Sequence, residues 1–176
     1  MTEQQTTQPV LVREREPDDL EETAAALVQV HETDGYPVEG VADPVQWLTP
    51  PDVIRAWVAE LSGQIVGHVA ISRPQGEDAV SRWVEHSGDT EERVAVLARL
   101  FVRRQARGHA IGQRLMTAAT DYAQRHGLRL VLDVMTKDQA AIRLYERLGW
   151  QPLGQTTHAI GDGQQIPAVC YVSPQV

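Results

Sequence analysis

The spacing of apolar residues along the chain changes several times, and each change predicts the start of a new strand, helix or loop. The two most continuous apolar runs, VAVLARLFV (94–102) and LRLVLDVM (128–135), are typical of strands that are buried on both faces of a sheet. Between them, apolar residues recur at helical spacing over 111–122, which predicts an amphipathic helix that ends near Gly127. A strand, a turn and a helix therefore lead directly into a second buried strand.

The N-terminal half is predicted in the same way. VLVR (10–13) indicates a first strand, and Pro17 with the two aspartates after it begins a helix that runs to about His31. AWVAEL and QIVGHVAIS, joined by Ser-Gly, predict a hairpin. The segments 32–51 and 73–90 are rich in turn-forming residues and read as long irregular connections, each with room for a short helical turn.

The C-terminal part completes the pattern. A helix capped by Asp138 is predicted to end at Gly149, and a hairpin then closes the chain. The resulting order is β-α-(loop)-β-β-β-α-β-α-β-β, which predicts an α/β fold with a mixed sheet of about six to seven strands flanked by helices. Residues 9–176 form one domain in this interpretation, and the polar residues 1–8 are expected to be a disordered tail.

Charge narrows the classes of partner. The formal net charge is −8, which argues against a nucleic-acid-binding protein. Residues 93–120 nevertheless contain six arginines and no Asp or Glu. On charge alone this segment fits either a local site for an anionic ligand, within an acidic body that favours a cationic one, or a solvated arginine surface. No apolar run approaches the ~20 residues of a membrane span. The first residues lack a signal-peptide pattern, and the single Cys170 excludes an internal disulfide, so we expect a cytoplasmic protein without membrane contact.

Two segments carry the candidate chemistry. In LARLFVRRQARGHAIGQRLMTAA, a glycine-containing turn between strand and helix offers unpaired backbone N–H groups, and the dipole of the helix adds partial positive charge for an anion. The second segment, DQAAIRLYERLGW, contains a tyrosine on the following helix. Together these two segments resemble the GNAT superfamily of N-acetyltransferases, over almost the whole chain.

The resemblance implies a donor, a set of binding residues and a reaction. The donor would be acetyl-CoA or another acyl-CoA, with no metal, and an amine would attack the thioester directly. Tyr145 would be the catalytic proton donor to the departing thiolate. The remaining family positions would bind the cofactor. Its pantetheine arm would bind to three strand residues, Leu100, Phe101 and Val102. Its pyrophosphate would bind to seven residues of the loop and helix start, Arg107, Gly108, His109, Ala110, Ile111, Gly112 and Gln113.

The chain departs from the family pattern at three positions. The family motif [QR]-x-x-G-x-[GA] fits two registers, and the one from Arg107 to Gly112 starts the helix at Ile111, where the apolar period starts. In that register Ala110 stands where glycine is usual, and its methyl group would disfavour a positive φ angle. Asp138 replaces the usual asparagine, and Val96 occupies the position of a glutamate that many relatives use as a base.

The acceptor site is predicted only in outline. Four residues of the irregular segments are candidates for contact with a small-molecule or peptide amine: Glu32, Asp34, Tyr36 and Trp83. The general base is left unassigned. The alternatives are a water chain to the surface and six side chains: His31, Glu32, Asp34, His68, Glu85 and His86. The sequence also leaves open a homodimer, a bulkier acyl-CoA or acyl carrier protein as donor, and a non-catalytic module that binds coenzyme A.

Overall fold

The two most apolar segments of the sequence become neighbouring strands at the centre of one sheet. The structure is a computed structural model that describes residues 9–37, 39–160 and 163–175. The expected disordered tail, 1–8, lies outside the described residues.

The described residues form seven strands and five α-helices. The strands and three of the helices follow the predicted order, and the other two helices lie in the segments expected to be mainly irregular. The strands are β1 Val10–Glu14, β2 Val53–Leu61, β3 Gln64–Ser72, β4 Val94–Val102, β5 Arg129–Met135, β6 Gln151–Ile160 and β7 Gln164–Val172. The helices are α1 Leu20–Asp34, α2 Pro44–Leu48, α3 Asp78–Ser87, α4 Ile111–Arg125 and α5 Gln139–Arg147. Short 3₁₀ turns precede α1, β4 and α4.

The sheet is split at its centre, because the two central strands pair over only part of their length. The order is β1-β2-β3-β4-β5-β7-β6, and every pair is antiparallel except β4 and β5. This parallel pair is joined only through Val94–Val96, which lie opposite Arg129–Val131. Beyond these residues the two strands separate, so the second half of β4 presents backbone groups that have no partner strand on the β5 side.

A β-bulge interrupts β4 within the separated half. His68 lies opposite Phe101 and Ala70 lies opposite Ala98, so β4 contains one more residue than β3 between these pairs. The bulge places Arg99 in the left-handed region, with φ at 57°. A non-glycine residue there costs about 1 kcal/mol, so the surrounding contacts must hold this conformation.

Helices cover both faces of the sheet. α4 and α5 pack on one face, in a core that contains Leu97, Leu132 and Tyr145. α1 and α2 pack around Phe101, and α3 packs over Val96, so these three helices cover the opposite face.

The structure refines the predicted element ends in the irregular segments. The first helix extends three residues beyond His31 and ends where Gly35 adopts a φ of 72°. Segments 32–51 and 73–90, expected as mainly irregular connections, contain α2 and the ten-residue α3.

Close packing of α4 on β3 generates a stability prediction. A Cβ atom on Gly67 would lie 3.1 Å from Cδ1 of Leu115, 3.2 Å from Cγ2 of Ile111 and 3.2 Å from the carbonyl oxygen of Phe101. We therefore expect Gly67→Ala to lower the free energy of unfolding by about 1–3 kcal/mol, because the helix has to move away from the strand. Urea denaturation measures this difference.

Gln64→Ala is the matched control, since Gln64 begins the same strand and is exposed. An unchanged free energy of unfolding in Gly67→Ala would show that α4 does not depend on this close approach.

Candidate functional site

The separation of β4 and β5 creates a cleft of about 1070 Å³. β4 contributes Leu97–Val102 to its walls, and β5 contributes Leu132–Met135. Further lining comes from the end of α1 and the segment after it, from α2, from the loop and first turn of α4, from α5 and from one residue of β6. The volume suits a ligand of cofactor size.

One end of the cleft presents free backbone N–H groups and is a candidate anion site. The first helical hydrogen bond of α4 runs from Arg114 N to Ala110 O at 3.0 Å, so the N–H groups of Ile111–Gln113 have no helical carbonyl to bond. Ala110 adopts the left-handed conformation at φ 55°, directly before the helix starts at Ile111. The register from Arg107 to Gly112 therefore describes the loop, and alanine takes the positive φ that glycine would take at lower cost.

Asp34 is bound to the arginines of this loop. Its carboxylate accepts hydrogen bonds from Arg104, at 3.0 Å, and from Arg107. Burial tends to raise the pKa of Asp34, but the hydrogen bond from Arg107 and the charges of both arginines outweigh it and lower this pKa. The carboxylate is thus ionised and holds the end of α1 against the anion site.

Tyr145 lies on α5 and lines the cleft opposite the open edge of β4. The residue is only 6% exposed, and its ring packs against Trp150 and Tyr171. Among the described residues, no group hydrogen-bonds the Tyr145 hydroxyl. Burial and, secondarily, the charges of Asp138 and Asp133 raise the pKa of Tyr145, so the phenol is protonated at neutral pH.

Aromatic residues form one wall on the α1–α2 side of the cleft. The ring of Tyr36 meets that of Trp47 edge-on at 6.0 Å, and Trp47 in turn lies 6.3 Å from Phe101. Glu39 accepts a hydrogen bond from the Trp47 indole N–H at 3.0 Å. Burial raises the pKa of Tyr36, which keeps its hydroxyl protonated.

An acid–imidazole pair faces this wall from β5 and β6. Nδ1 of His158 lies 3.2 Å from Oδ2 of Asp133, and both residues line the cleft. Because Val131 packs beneath α3, the two-residue period of the strand places Asp133 on that same face of the sheet. Asp133 is the one charged residue in the apolar run LRLVLDVM after Arg129, which is the signal by which the sequence could have revealed it.

A buried histidine supports the bulge from behind. His68 is fully buried, with Nε2 2.9 Å from the guanidinium of Arg15 and Nδ1 2.9 Å from the carbonyl oxygen of Arg99. Since Arg15 can only donate, Nε2 accepts and the Nδ1–H donates to the bulge carbonyl. Burial, together with the positive charges of Arg15 and Arg99, lowers the pKa of His68 to about 3.

Most of the predicted site residues meet in the cleft, and three do not. The strand residues, Tyr145, Asp34, Tyr36 and the loop from Arg107 to Gln113 line it, except for His109, which is exposed outside the lining. Glu32 is exposed on α1 away from the cleft. Trp83 lies on α3, where the Arg129 guanidinium stacks 4.6 Å from its ring, so the structure does not bring it to the candidate site.

Asp138 departs from its predicted role. It occupies the position before α5, but its side chain accepts no capping hydrogen bond from the first turn. Its carboxyl lines the cleft instead, and burial raises its pKa against the opposing charge of Lys137.

Comparison with known proteins agrees with this geometry. The sequence matches the acetyltransferase (GNAT) family over residues 18–150. The chain belongs to the GNAT family. It is 35% identical over 124 residues to the IAA acetyltransferase of Azospirillum brasilense, covering 69% of this chain and 70% of that protein. It is 33% identical over 107 residues to an uncharacterized N-acetyltransferase of Methanocaldococcus jannaschii, which covers 60% of this chain but only 43% of the archaeal protein. The chain therefore spans less than half the length of that relative.

Solved GNAT structures share the fold. Arabidopsis thaliana NAA60 in complex with acetyl-CoA superimposes with a TM-score of 0.72, at 19% identity, over 93% of this chain and 97% of that one. The expected mixed α/β fold with a seven-stranded sheet flanked by helices is thus confirmed.

Membrane-spanning helices and clusters of metal-ligating side chains are both absent from the described part of this chain. None of the described helices combines the length and apolarity that a bilayer-spanning helix requires. Within residues 9–37, 39–160 and 163–175, no three His, Cys, Asp or Glu side chains form a group that could hold a metal ion.

The buried His68 predicts a specific pH dependence of stability. Its folded pKa of about 3 lies below the ordinary value of 6.5, so below pH 6.5 the unfolded chain binds a proton that the folded chain does not. Between pH 7 and pH 5 this linkage lowers the free energy of unfolding by about 2 kcal/mol.

Replacing the imidazole with an amide tests this linkage. His68→Gln can donate to the Arg99 carbonyl and accept from Arg15, but it does not titrate. We expect the variant to lose about 2 kcal/mol less stability than the wild type between pH 7 and pH 5 in denaturant unfolding. Parallel pH curves for the two proteins would show that His68 does not titrate between the folded and unfolded states.

Proposed function

We propose that this chain is an N-acyltransferase that moves an acetyl group from acetyl-CoA to a primary amine by direct attack on the thioester. The observation that carries the proposal is the position of Tyr145. Tyr145 lines the cleft, and its protonated hydroxyl has no hydrogen-bond partner among the described residues. The other walls of the cleft offer a candidate anion site at one end and an open strand edge along the middle.

Successive parts of the cleft wall would bind successive parts of acetyl-CoA, from the pyrophosphate to the thioester. The free N–H groups of Ile111–Gln113 and the guanidinium of Arg107 would bind the pyrophosphate. The unpaired backbone edge of Leu100–Val102 would bond the amides of the pantetheine arm as a further strand would. The gap between β4 and β5 would then place the thioester beside Tyr145.

The reaction needs two proton movements, and the chain offers a residue for each. As the amine nitrogen forms a bond to the thioester carbon, the carbon–sulfur bond breaks and Tyr145 donates its proton to the leaving sulfur. The proton that the amine releases would pass to the Asp133–His158 pair, which faces the cleft from β5 and β6. This pair replaces the strand glutamate of many relatives, whose position Val96 occupies.

Donor binding is the first test. Calorimetric titration with acetyl-CoA should give one-to-one binding, and Arg107→Gln should weaken it about tenfold through the loss of a charge-assisted hydrogen bond. Asp34→Asn should act in the opposite direction, because it frees Arg107 from a competing carboxylate. Arg125→Gln, at the exposed end of α4, is the charge-matched control.

Absence of binding at high acetyl-CoA concentration would overturn the proposal for this donor. Binding of a longer acyl-CoA in its place would identify a different acyl group. An affinity that does not respond to Arg107→Gln would remove this residue from the anion site.

Tyr145→Phe should lower kcat by about 10²–10⁴-fold and leave acetyl-CoA affinity nearly unchanged, because only the proton donor is lost. Thiol release from acetyl-CoA against a panel of amines measures kcat. Tyr171→Phe is the control, since this neighbouring buried tyrosine hydroxyl bonds Glu146 at 2.9 Å and does not line the cleft.

Equal activity of wild type and Tyr145→Phe would remove the tyrosine from the chemistry. A protein that binds acetyl-CoA and releases no thiol with any amine would instead be a non-catalytic coenzyme A-binding module.

A further inference from the structure

The wall of the cleft beside α2 contains the guanidinium of Arg99, which forms no ion pair with a described carboxylate. Arg99 lines the cleft, is partly exposed, and comes from the bulge of β4. Among the described residues, no Asp or Glu oxygen lies within 4.0 Å of its guanidinium nitrogens. The loop arginines Arg104 and Arg107, in contrast, both pair with Asp34.

The surrounding contacts fix the direction of the Arg99 side chain. Its Nε donates to the carbonyl oxygen of Trp47 at 2.7 Å, and its guanidinium carbon lies 5.1 Å from the centre of the Trp47 ring. His68 bonds the Arg99 carbonyl from the other side of the backbone. Only the Nε is used in these bonds, so the two terminal nitrogens remain available to a ligand in the cleft.

Arg99 on β4 and the Asp133–His158 pair on β5 and β6 line the same cleft. Val96 lies opposite Val131, and two residues further along each strand Ala98 and Asp133 face one another across the opening. Arg99 follows Ala98 directly. The positive guanidinium of Arg99 and the negative carboxylate of Asp133 therefore both border the cleft on the α1–α3 face of the sheet.

We infer that the acceptor is a small amine that also carries a carboxylate, as an α-amino acid does, and that Arg99 binds the carboxylate. This inference rests on the proposed function and names its substrate class. A planar guanidinium with two free N–H-bearing nitrogens matches a carboxylate bidentately, and partial burial strengthens the pair. The amine of the same molecule would then lie towards Asp133, where its proton is removed. The acidic composition alone had favoured a purely cationic acceptor.

Matched acceptors test the inference directly. Thiol release from acetyl-CoA is measured with each of the common amino acids, with the corresponding amino acid amide and with the corresponding decarboxylated amine. A dipeptide series distinguishes a free amino acid from a peptide that carries its carboxylate on an acidic side chain. We expect at least one free amino acid or acidic dipeptide to exceed its uncharged analogue at least tenfold in kcat/KM.

Substitutions then connect this preference to Arg99. Arg99→Gln should reduce the ratio between the acid and its amide to near one, mainly through a higher KM for the acid. Arg99→Lys should retain part of the preference, because it keeps the charge and loses the bidentate geometry. Arg73→Gln removes the same charge from an exposed position outside the cleft and should leave the ratio unchanged.

The possible failures are distinguishable. Transfer to amides and decarboxylated amines as efficient as transfer to the acids would overturn the inference and leave the acetyltransferase proposal intact. A preference for the acid that survives Arg99→Gln in a protein with unchanged thermal stability would assign carboxylate binding to another residue. Lack of transfer to any amine, with or without acetyl-CoA binding, would overturn the proposed function itself.

Discussion

The separation of β4 from β5 is the constraint on which the rest of the site depends. Three residue pairs join the two strands, and beyond them each strand continues without the other. Unpaired backbone groups are costly in a protein interior, so the exposed edge of β4 persists because it faces a cleft. The same separation brings α4, α5 and the α1–α2 segment to one place, since each of them borders the opening.

The strained positions of the described chain support this arrangement. Of the three non-glycine residues with positive φ, Arg99 and Ala110 line the cleft, while Ser62 lies in the β2–β3 turn. His68 and Arg15 form a buried, hydrogen-bonded support under Arg99, and the start of α4 follows Ala110 directly. Backbone strain is therefore found where the chain directs a group into the cleft. At Arg99 this group is the side chain, and after Ala110 it is the set of backbone N–H groups.

Local periodicity was sufficient to predict the order of the strands and of α1, α4 and α5, because each of these has a clear pattern of its own. It did not predict α2 and α3 as helices, because turn-forming residues dominate their segments. The resemblance to a family pointed to the loop before α4 and to Tyr145, and both line the cleft, since each motif consists of residues close together in sequence. The Asp133–His158 pair could not be found in this way, because the two residues are 25 positions apart and meet across β7. The prediction of Trp83 as an acceptor-site residue failed for a related reason. Its segment forms a regular helix over the sheet, and its ring stacks with the guanidinium of Arg129.

The narrow seam between the two central strands has a mechanical consequence. β1 to β4 form one antiparallel half-sheet and β5 to β7 form another, so Val94–Val96 act as the hinge between two stiff plates. The six residues from Leu97 to Val102 extend about 20 Å from that hinge. A tilt of only ~5° between the plates would therefore change the width at the far end by about 2 Å, on the basis of the same rise per residue. α3 packs on Val94, Val96 and Val131 at this joined end of the two strands, so a change in that packing would be magnified at the open end of the cleft.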